Sequence, residues 1–531
     1  MPFPNPSRSA AAIATACITC FVAACGNDDG PPPAPVAAAP TREALTATCN
    51  GLRGQVFAGV TVTATRRVEA DGAAVPAGLC QVSATRAPFL DIEVDVPDNW
   101  SGRLLHQGGG GFDGTIPTAV TTSSAGVVTA LNTAIGRKAA IYAASNGGNR
   151  ANVPAQAAPT VWANGTSDGM ASADDYAYRA LGTTIAFAKT MARQFYAKAP
   201  ERTYFNGCSN GGRNAYTVVQ RWPDEYDGVV SGCETMDMGG QTTAWLNLGS
   251  KAGTPAALTA PQYAAAFQAA VRSCDGNDGV VDGIIANPAA CTFDPAALQC
   301  GVAGANADPA LCLSAAQVGT LRSLLGDVVL ANGATVYSRF TWADFSAFGP
   351  AFGSLGGGFA LLATNDPAWL TLPKQQSFNL NTDYYVFSSG LLRRGADHDK
   401  AEIARWIASG KKLINWHDGA DNLLSLNDHL RNYATMTGLA TNLGLADPRT
   451  TSRFFVVPGG SHGEGQSFTE VDWFGAIVDW VENGVAPVQL VYTRPSGATS
   501  RTLPVCEWPA WPRYNGSGDV AVSTNYSCTR T

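Results

Sequence analysis

The run NGCSNGGRN, residues 206–214, sets one serine among glycines. Gly207-Cys208-Ser209-Asn210-Gly211 satisfies G-x-S-x-G, in which the flanking glycines let a strand turn sharply into a helix and lift the serine hydroxyl clear of the sheet. Such a hydroxyl is a weak nucleophile until a base takes its proton, and the chain offers five histidines: His106, His398, His417, His429 and His462. On an elbow of this kind the partners follow in the chain order serine, aspartate, histidine, which sets His106 aside. His398, in GADHDKAEIARWIASG, opens a helix that reads as exposed and is expected to be solvated. His462, in RFFVVPGGSHGEG, stands where a strand runs into a glycine-rich turn and is the expected base. For the acid, KKLINWHDGADNLLS gives a buried strand, Leu413 to Trp416, followed by a turn holding Asp418 and Asp421. The pattern alone leaves both aspartates open, and His417 and His429 beside them read as structural. The chemistry available to such a set is acyl transfer from an ester or amide to water.

These residues need elements to carry them. Between residues 100 and 240, strand-like runs alternate with helical ones, as an α/β sheet requires. GRLLHQGGGGFDG ends in four glycines, Gly108 to Gly111, and RKAAIYAASNGG is a second strand ending in a turn. A helical run, DDYAYRALGTTIAFAKTMARQFYA, leads into the strand before Ser209; NAYTVVQRWPDEY reads as the helix after it, and DGVVSGCE as the next strand. This order is that of an α/β-hydrolase. An oxyanion formed at Ser209 would be held by the N–H of Asn210 and by one from the glycine loop, with Gly109 and Gly110 as the candidates. From 241 to 397 the alternation stops and the sequence reads as loop-rich, which makes it a lid inserted between nucleophile and acid.

The chain has 531 residues, 45% of them hydrophobic, enough for a large core. A net charge of −7 and the lack of any Lys/Arg-rich run argue against a nucleic-acid partner. Residues 1–25 read as an export signal, in which VAAC at 22–25 resembles a lipobox with Cys25 as the lipidated residue. Such a signal implies a periplasmic, outer-membrane or secreted protein whose only membrane contact is that anchor. The Pro/Ala-rich stretch that follows, 26–48, reads as a tether, leaving 49–240 with 398–531 for the hydrolase domain and 241–397 for the lid. Of thirteen cysteines, ten follow the signal: Cys49, Cys80, Cys208, Cys233, Cys274, Cys291, Cys300, Cys312, Cys506 and Cys528. An even number in an exported chain points to disulfides. Cys208 and Cys233 lie just past two successive strands and, if these are neighbours about 4.8 Å apart, can be bridged.

CDGNDGVVDGIIANPAAC places Asp275, Asp278 and Asp282 within eight residues. Hard oxygen donors of this kind suit calcium, although an acidic surface loop has the same composition.

GGGGFDG, YFNGCSNGGRNA with RWPDEYDGVVSG, CDGNDGVVDGIIANPAAC, KKLINWHDGAD, FFVVPGGSHGEG and the C-terminal LVYTRPSG to LPVCEWP follow one another from about Cys49 onward. On these blocks the chain resembles the tannase and feruloyl esterase family. The resemblance implies a serine esterase acting on aromatic acyl groups of feruloyl, galloyl or terephthaloyl type. It implies Asp421 as the acid, at the end of an H-G-x-A-D turn whose glycine is here Asp418. It implies structural calcium held by Asp275, Asp278 and Asp282 with the carbonyls of Val280 and Ile284. It also implies pairs Cys49–Cys80, Cys274–Cys291, Cys300–Cys312 and Cys506–Cys528. One departure stands out: the family's usual cysteine after the histidine, partner of the one before the serine, is Gly463 here. A binding protein that has lost catalysis, and a lipase or peptidase of the same fold, are the rival readings.

Overall fold

The structure, a computed structural model, describes residues 39–71, 75–122, 128–130, 133–150, 166–467, 470–496 and 499–530. The expected signal and the lipobox at Cys25 lie outside the described residues. Residues from Pro40 to the C-terminus make one unit.

Twelve strands form one sheet: β1 Val56–Phe57, β2 Val60–Val68, β3 Leu79–Arg86, β4 Leu90–Pro97, β5 Arg103–Gln107, β6 Ile141–Ser145, β7 Arg202–Cys208, β8 Gly228–Gly232, β9 Lys412–Asp418, β10 Ser452–Val457, β11 Gln489–Ser496 and β12 Thr499–Glu507. Their order is β1-β2-β3-β4-β6-β5-β7-β8-β9-β10-β12-β11. The six from β6 through β10 run parallel, and antiparallel hairpins flank them on both sides. The parallel strands are buried on both faces, so they read as nearly continuous apolar runs without alternation. On one face Phe205, Val229, Leu413 and Phe454 pack with the helix Ala180–Tyr196. On the other, Tyr204, Val230, Ile414 and Phe455 meet the helix Trp473–Asn483, where Trp416 and Trp473 stack with ring centroids 5.2 Å apart. This is an α/β-hydrolase fold with an inserted lid.

Register brings the chemistry together. Cys208 lies opposite Gly232, Gly232 opposite Trp416, and Asp418 opposite Val457. The loops after β7, β8, β9 and β10 therefore leave the sheet side by side at its carboxyl edge, where open α/β sheets bind ligands.

Two expectations differ from the structure. The chain is already helical at Arg42–Gly51, inside the stretch read as tether, with Leu45 and Cys49 buried. The lid is largely helical: Met238–Gly249, Ala260–Cys274, Ala315–Leu324, Phe352–Thr364 and Leu380–Arg394 are α-helices around a core that includes Trp245, Phe340, Phe345 and Phe352. The glycines of Phe352–Thr364 concealed that helix, because glycine is a poor helix former. Here they buy close approach: a Cβ at Gly249 would stand 2.3 Å from Gly353 Cα, and one at Gly356 2.9 Å from Leu246 Cγ.

All ten cysteines from Cys49 onward are paired. Cα–Cα distances are 5.9 Å for Cys49–Cys80, 5.3 Å for Cys208–Cys233, 5.3 Å for Cys274–Cys291, 5.0 Å for Cys300–Cys312 and 5.7 Å for Cys506–Cys528.

Candidate active site

Ser209 sits between β7 and the helix Asn210–Arg221 at φ 61°, ψ −123°, a conformation that costs a residue with a side chain about 1–3 kcal/mol. Its surroundings enforce the turn. A Cβ at Gly207 would lie 2.4 Å from the Gly211 carbonyl carbon, one at Gly211 2.7 Å from the Gly109 carbonyl oxygen, and one at Gly108 2.7 Å from Gly211 Cα. The glycines of G-x-S-x-G and of the β5 loop are therefore one packing requirement: the loop lies directly on the elbow. The Ser209 N–H donates to the Gly232 carbonyl at 3.1 Å.

His462 Nε2 is 2.9 Å from Ser209 Oγ, and its Nδ1 is 2.8 Å from Asp421 Oδ2. With Nδ1–H donating to the carboxylate, Nε2 keeps its lone pair toward the hydroxyl, the tautomer a general base requires. Asp421 is fully buried, and its Oδ1 accepts the N–H groups of Leu423 and Leu424, each at 2.8 Å. Burial by itself would push this carboxyl up. The charge of His462 and the hydrogen bonds of His417 and His462 outweigh it and hold the group below the ordinary carboxylate range, so it stays ionised.

The other histidines are accounted for. His417 is buried, with Nε2 3.3 Å from the Leu424 carbonyl oxygen and 3.2 Å from Asp421 Oδ2, and Nδ1 3.0 Å from His429 Nδ1. His429 in turn meets Tyr216 OH at 3.0 Å. His106 is buried against Tyr226 OH at 2.8 Å, and burial pushes its imidazole down to about 3. His398 is not the solvated side chain expected: it bonds Thr217 Oγ1 at 3.0 Å and the Met236 carbonyl at 3.1 Å, and burial holds it at about 3. The helix that follows it, Lys400–Ala408, packs on Asn210–Arg221, a contact that local sequence does not encode.

Among the described residues no hydrogen bond joins Asp418 to the His462 ring. Its carboxylate accepts from the Gly463 N–H at 2.8 Å and the Gly465 N–H at 3.2 Å, and burial, then the charge of Asp421, pushes it well above the usual range. Cys233 Sγ lies within 4.8 Å of ligand atoms of Asp421 and His462, but that sulfur is bonded to Cys208 and offers no thiolate to a metal.

A cavity reaches Ser209 and Asn210. Phe112, Met238, Trp245, Leu355, Phe359 and Leu424 wall it, together with Gly111. Trp245 and Phe359 stack at 5.7 Å and 25°, and Phe348 meets His462 edge-on at 6.2 Å. The polar residues include Arg213, whose guanidinium is hydrogen-bonded to Asn210, Asn214 and the carbonyls of Tyr176, Ala177 and Ala396. They also include Gln241, 2% exposed, whose Oε1 has no hydrogen-bond partner among the described residues. Gly109 and Gly110 do not line this cavity: the Gly110 carbonyl accepts from the Asp113 N–H, and Asp113 accepts from the Asn210 side chain. Sequence reasoning missed Asp113 and Arg213, although GGGGFDG and SNGGR contain them.

In the acidic loop, Asp275 accepts N–H groups of Asp282, Gly283 and Ile284 at 2.9–3.3 Å, and Asp278 accepts that of Val280 at 3.1 Å. Burial, and behind it the charges of Asp282 and Asp275, pushes Asp278 up to about 6. Asp282 is met by Arg501. Crowded negative charge on hard oxygen donors is what a calcium ion relieves, so the residues fit one.

The family model for tannase and feruloyl esterase matches residues 74–529. The mono(2-hydroxyethyl) terephthalate hydrolase of Piscinibacter sakaiensis is 29% identical, with 86% of each chain covered. A probable feruloyl esterase B-1 of Aspergillus oryzae is 26% identical over 84% of this chain and 82% of its own. Among solved structures, feruloyl esterase B from Aspergillus oryzae superposes with a TM-score of 0.76 at 22% identity, covering 91% of this chain and all of its own. The tannin acyl hydrolase of Aspergillus niger gives 0.68 at 20%, covering 92% and 94%. With the fold shared and the family model spanning most of the sequence, this chain belongs to the tannase and feruloyl esterase family of carboxylic ester hydrolases.

Proposed function

We propose that the protein hydrolyses esters of aromatic carboxylic acids through Ser209, His462 and Asp421. The observation that carries this is the continuous hydrogen-bonded line from Ser209 Oγ through both nitrogens of His462 to Asp421, at 2.9 and 2.8 Å, opening onto a cavity walled by aromatic rings. His462 takes the serine proton as Oγ attacks the ester carbonyl, and Asp421 stabilises the imidazolium. The tetrahedral oxyanion is met by the Asn210 N–H and an N–H of the Gly109–Gly111 loop, donors worth about 2.7–4 kcal/mol each in such sites. Collapse expels the alcohol, protonated by His462, and leaves an acyl-enzyme. Water, deprotonated by the same histidine, then releases the acid. Phe112, Trp245 and Phe359 suit a flat acyl group of the feruloyl, galloyl or terephthaloyl type.

Calcium is held in this reading by Asp275, Asp278 and Asp282 with the carbonyls of Val280 and Ile284, where it stiffens the loop and takes no part in the reaction. Five disulfides fit an oxidising compartment, in line with export. No helix among the described residues is long and apolar enough to cross a membrane. The test is turnover of methyl gallate, methyl ferulate and mono(2-hydroxyethyl) terephthalate by the wild type and by Ser209→Ala. Turnover of at least one aryl ester that vanishes in the variant is expected. Hydrolysis confined to alkyl esters or peptides would overturn the acyl assignment.

A further inference from the structure

The structure assigns to Asp418 the positioning of the loop that carries His462. This rests on the serine-esterase reading above.

Asp418 ends β9 with its side chain closed off from solvent. Its two oxygens reach out of the sheet into the loop after β10, taking the main-chain N–H of Gly463, which directly follows His462, and that of Gly465. The loop is shaped to receive it. A Cβ at Gly460 would stand 2.5 Å from Asp418 Oδ1, and one at Gly465 3.3 Å from the same atom, so the carboxylate occupies room that glycines leave. Beside it, the Gly419 N–H donates to the Val457 carbonyl at 2.8 Å and the Ala420 N–H to that of Gly460 at 2.9 Å.

One turn therefore grips the base at two levels. Asp418 fixes the main chain next to His462, and Asp421, three residues on, fixes the ring. No disulfide among the described residues ties this loop, since Cys208, whose sulfur is 3.9 Å from where a Cβ at Gly463 would stand, is bonded to Cys233. A carboxyl group buried beside Asp421 is unfavourable for folding. Two main-chain hydrogen bonds to one functional loop are what it gains there. Among the described residues Asp418 hydrogen-bonds neither the serine nor the imidazole, so it is a positioning residue.

Asp418→Asn tests this, because it keeps the size and replaces one accepting oxygen with a donor that opposes an N–H. Active sites are counted with a fluorophosphonate probe, and kcat and KM for 4-nitrophenyl acetate are measured per labelled site, alongside Tm. Replacing a buried hydrogen bond by two opposed donors, where that bond sets the placement of His462, lowers kcat per site by about 10-fold with KM within about twofold. The rate of fluorophosphonate labelling falls in parallel. A kcat per site equal to that of the wild type, with only Tm lowered, would overturn the proposal and leave Asp418 a structural residue. Asp418→Gly, which lets water satisfy both N–H groups, supplies the same readout where the asparagine variant does not accumulate. A wild type that neither turns over the ester nor takes the probe would instead remove the serine-esterase reading.

Discussion

Replacing Cys208 and Cys233 together by alanine isolates what their disulfide does beneath the serine. The bond joins the ends of neighbouring parallel strands across a sequence separation of 25, enclosing the elbow and the helix Asn210–Arg221. In the chain-entropy model a loop of that length restrains the unfolded chain by about 3.5 kcal/mol. Both sulfurs are buried, Cys233 at 0% and Cys208 at 6% exposure, so emptying their volume adds about 1 kcal/mol apiece. The expected loss is about 4–6 kcal/mol. For the roughly 460 described residues the entropy of unfolding is about 1 kcal/mol/K, which turns that loss into a fall in Tm of about 4–6 °C by scanning calorimetry. The bond also anchors one side of a serine held at φ 61°, and kcat should fall more than KM rises as the elbow relaxes. A peptide map of non-reduced protein lacking a 208–233 link, or a double variant melting within about 1 °C of the wild type, would refute the reasoning.

Three further outcomes are expected. Burial pushes the Asp113 carboxyl up to about 7 from 3.8, against the pull of Arg213 and the Asn210 hydrogen bond. The unfolded chain has then released a proton that the folded one retains between about pH 4 and 7, so stability falls as pH rises through that window. Asp113→Asn should remove this term, and parallel Tm-versus-pH curves for the two proteins would contradict it. Chelation by EGTA should lower Tm, by an amount equivalent to about 2.7 kcal/mol for calcium at 100 times its Kd, and calcium but not magnesium should restore it; an unchanged melt would remove the calcium reading. Gln241→Leu should lower kcat/KM about 10-fold for acyl groups bearing a ring hydroxyl and little for unsubstituted benzoyl or cinnamoyl esters, because the free Gln241 Oε1 can accept only from a donor; equal loss on both would count against that contact.

Much of the fold and of the site is written locally in the chain. Strand, elbow and helix around Ser209 follow from glycine spacing, and the chain order of serine, aspartate and histidine follows from parallel strands taken in sequence. The choice between Asp418 and Asp421 was not available from spacing, because both sit on one turn and only the packed structure separates the carboxylate that meets a ring from the one that meets a main chain. His398 shows the same limit: its exposure depends on Thr217 and Met236, some 160–180 residues earlier in the chain. The lid's helices were hidden because their glycines serve helix–helix approach, a purpose set by a partner elsewhere in the sequence.

The central claim is that Ser209, activated by His462, is the nucleophile. Mass spectrometry of the peptide containing residues 206–214 after treatment with a fluorophosphonate tests it most directly. The account predicts one adduct on Ser209 in the wild type, none in Ser209→Ala, and labelling slowed by orders of magnitude in His462→Ala. An adduct on another residue, or unchanged labelling without the histidine, would contradict it.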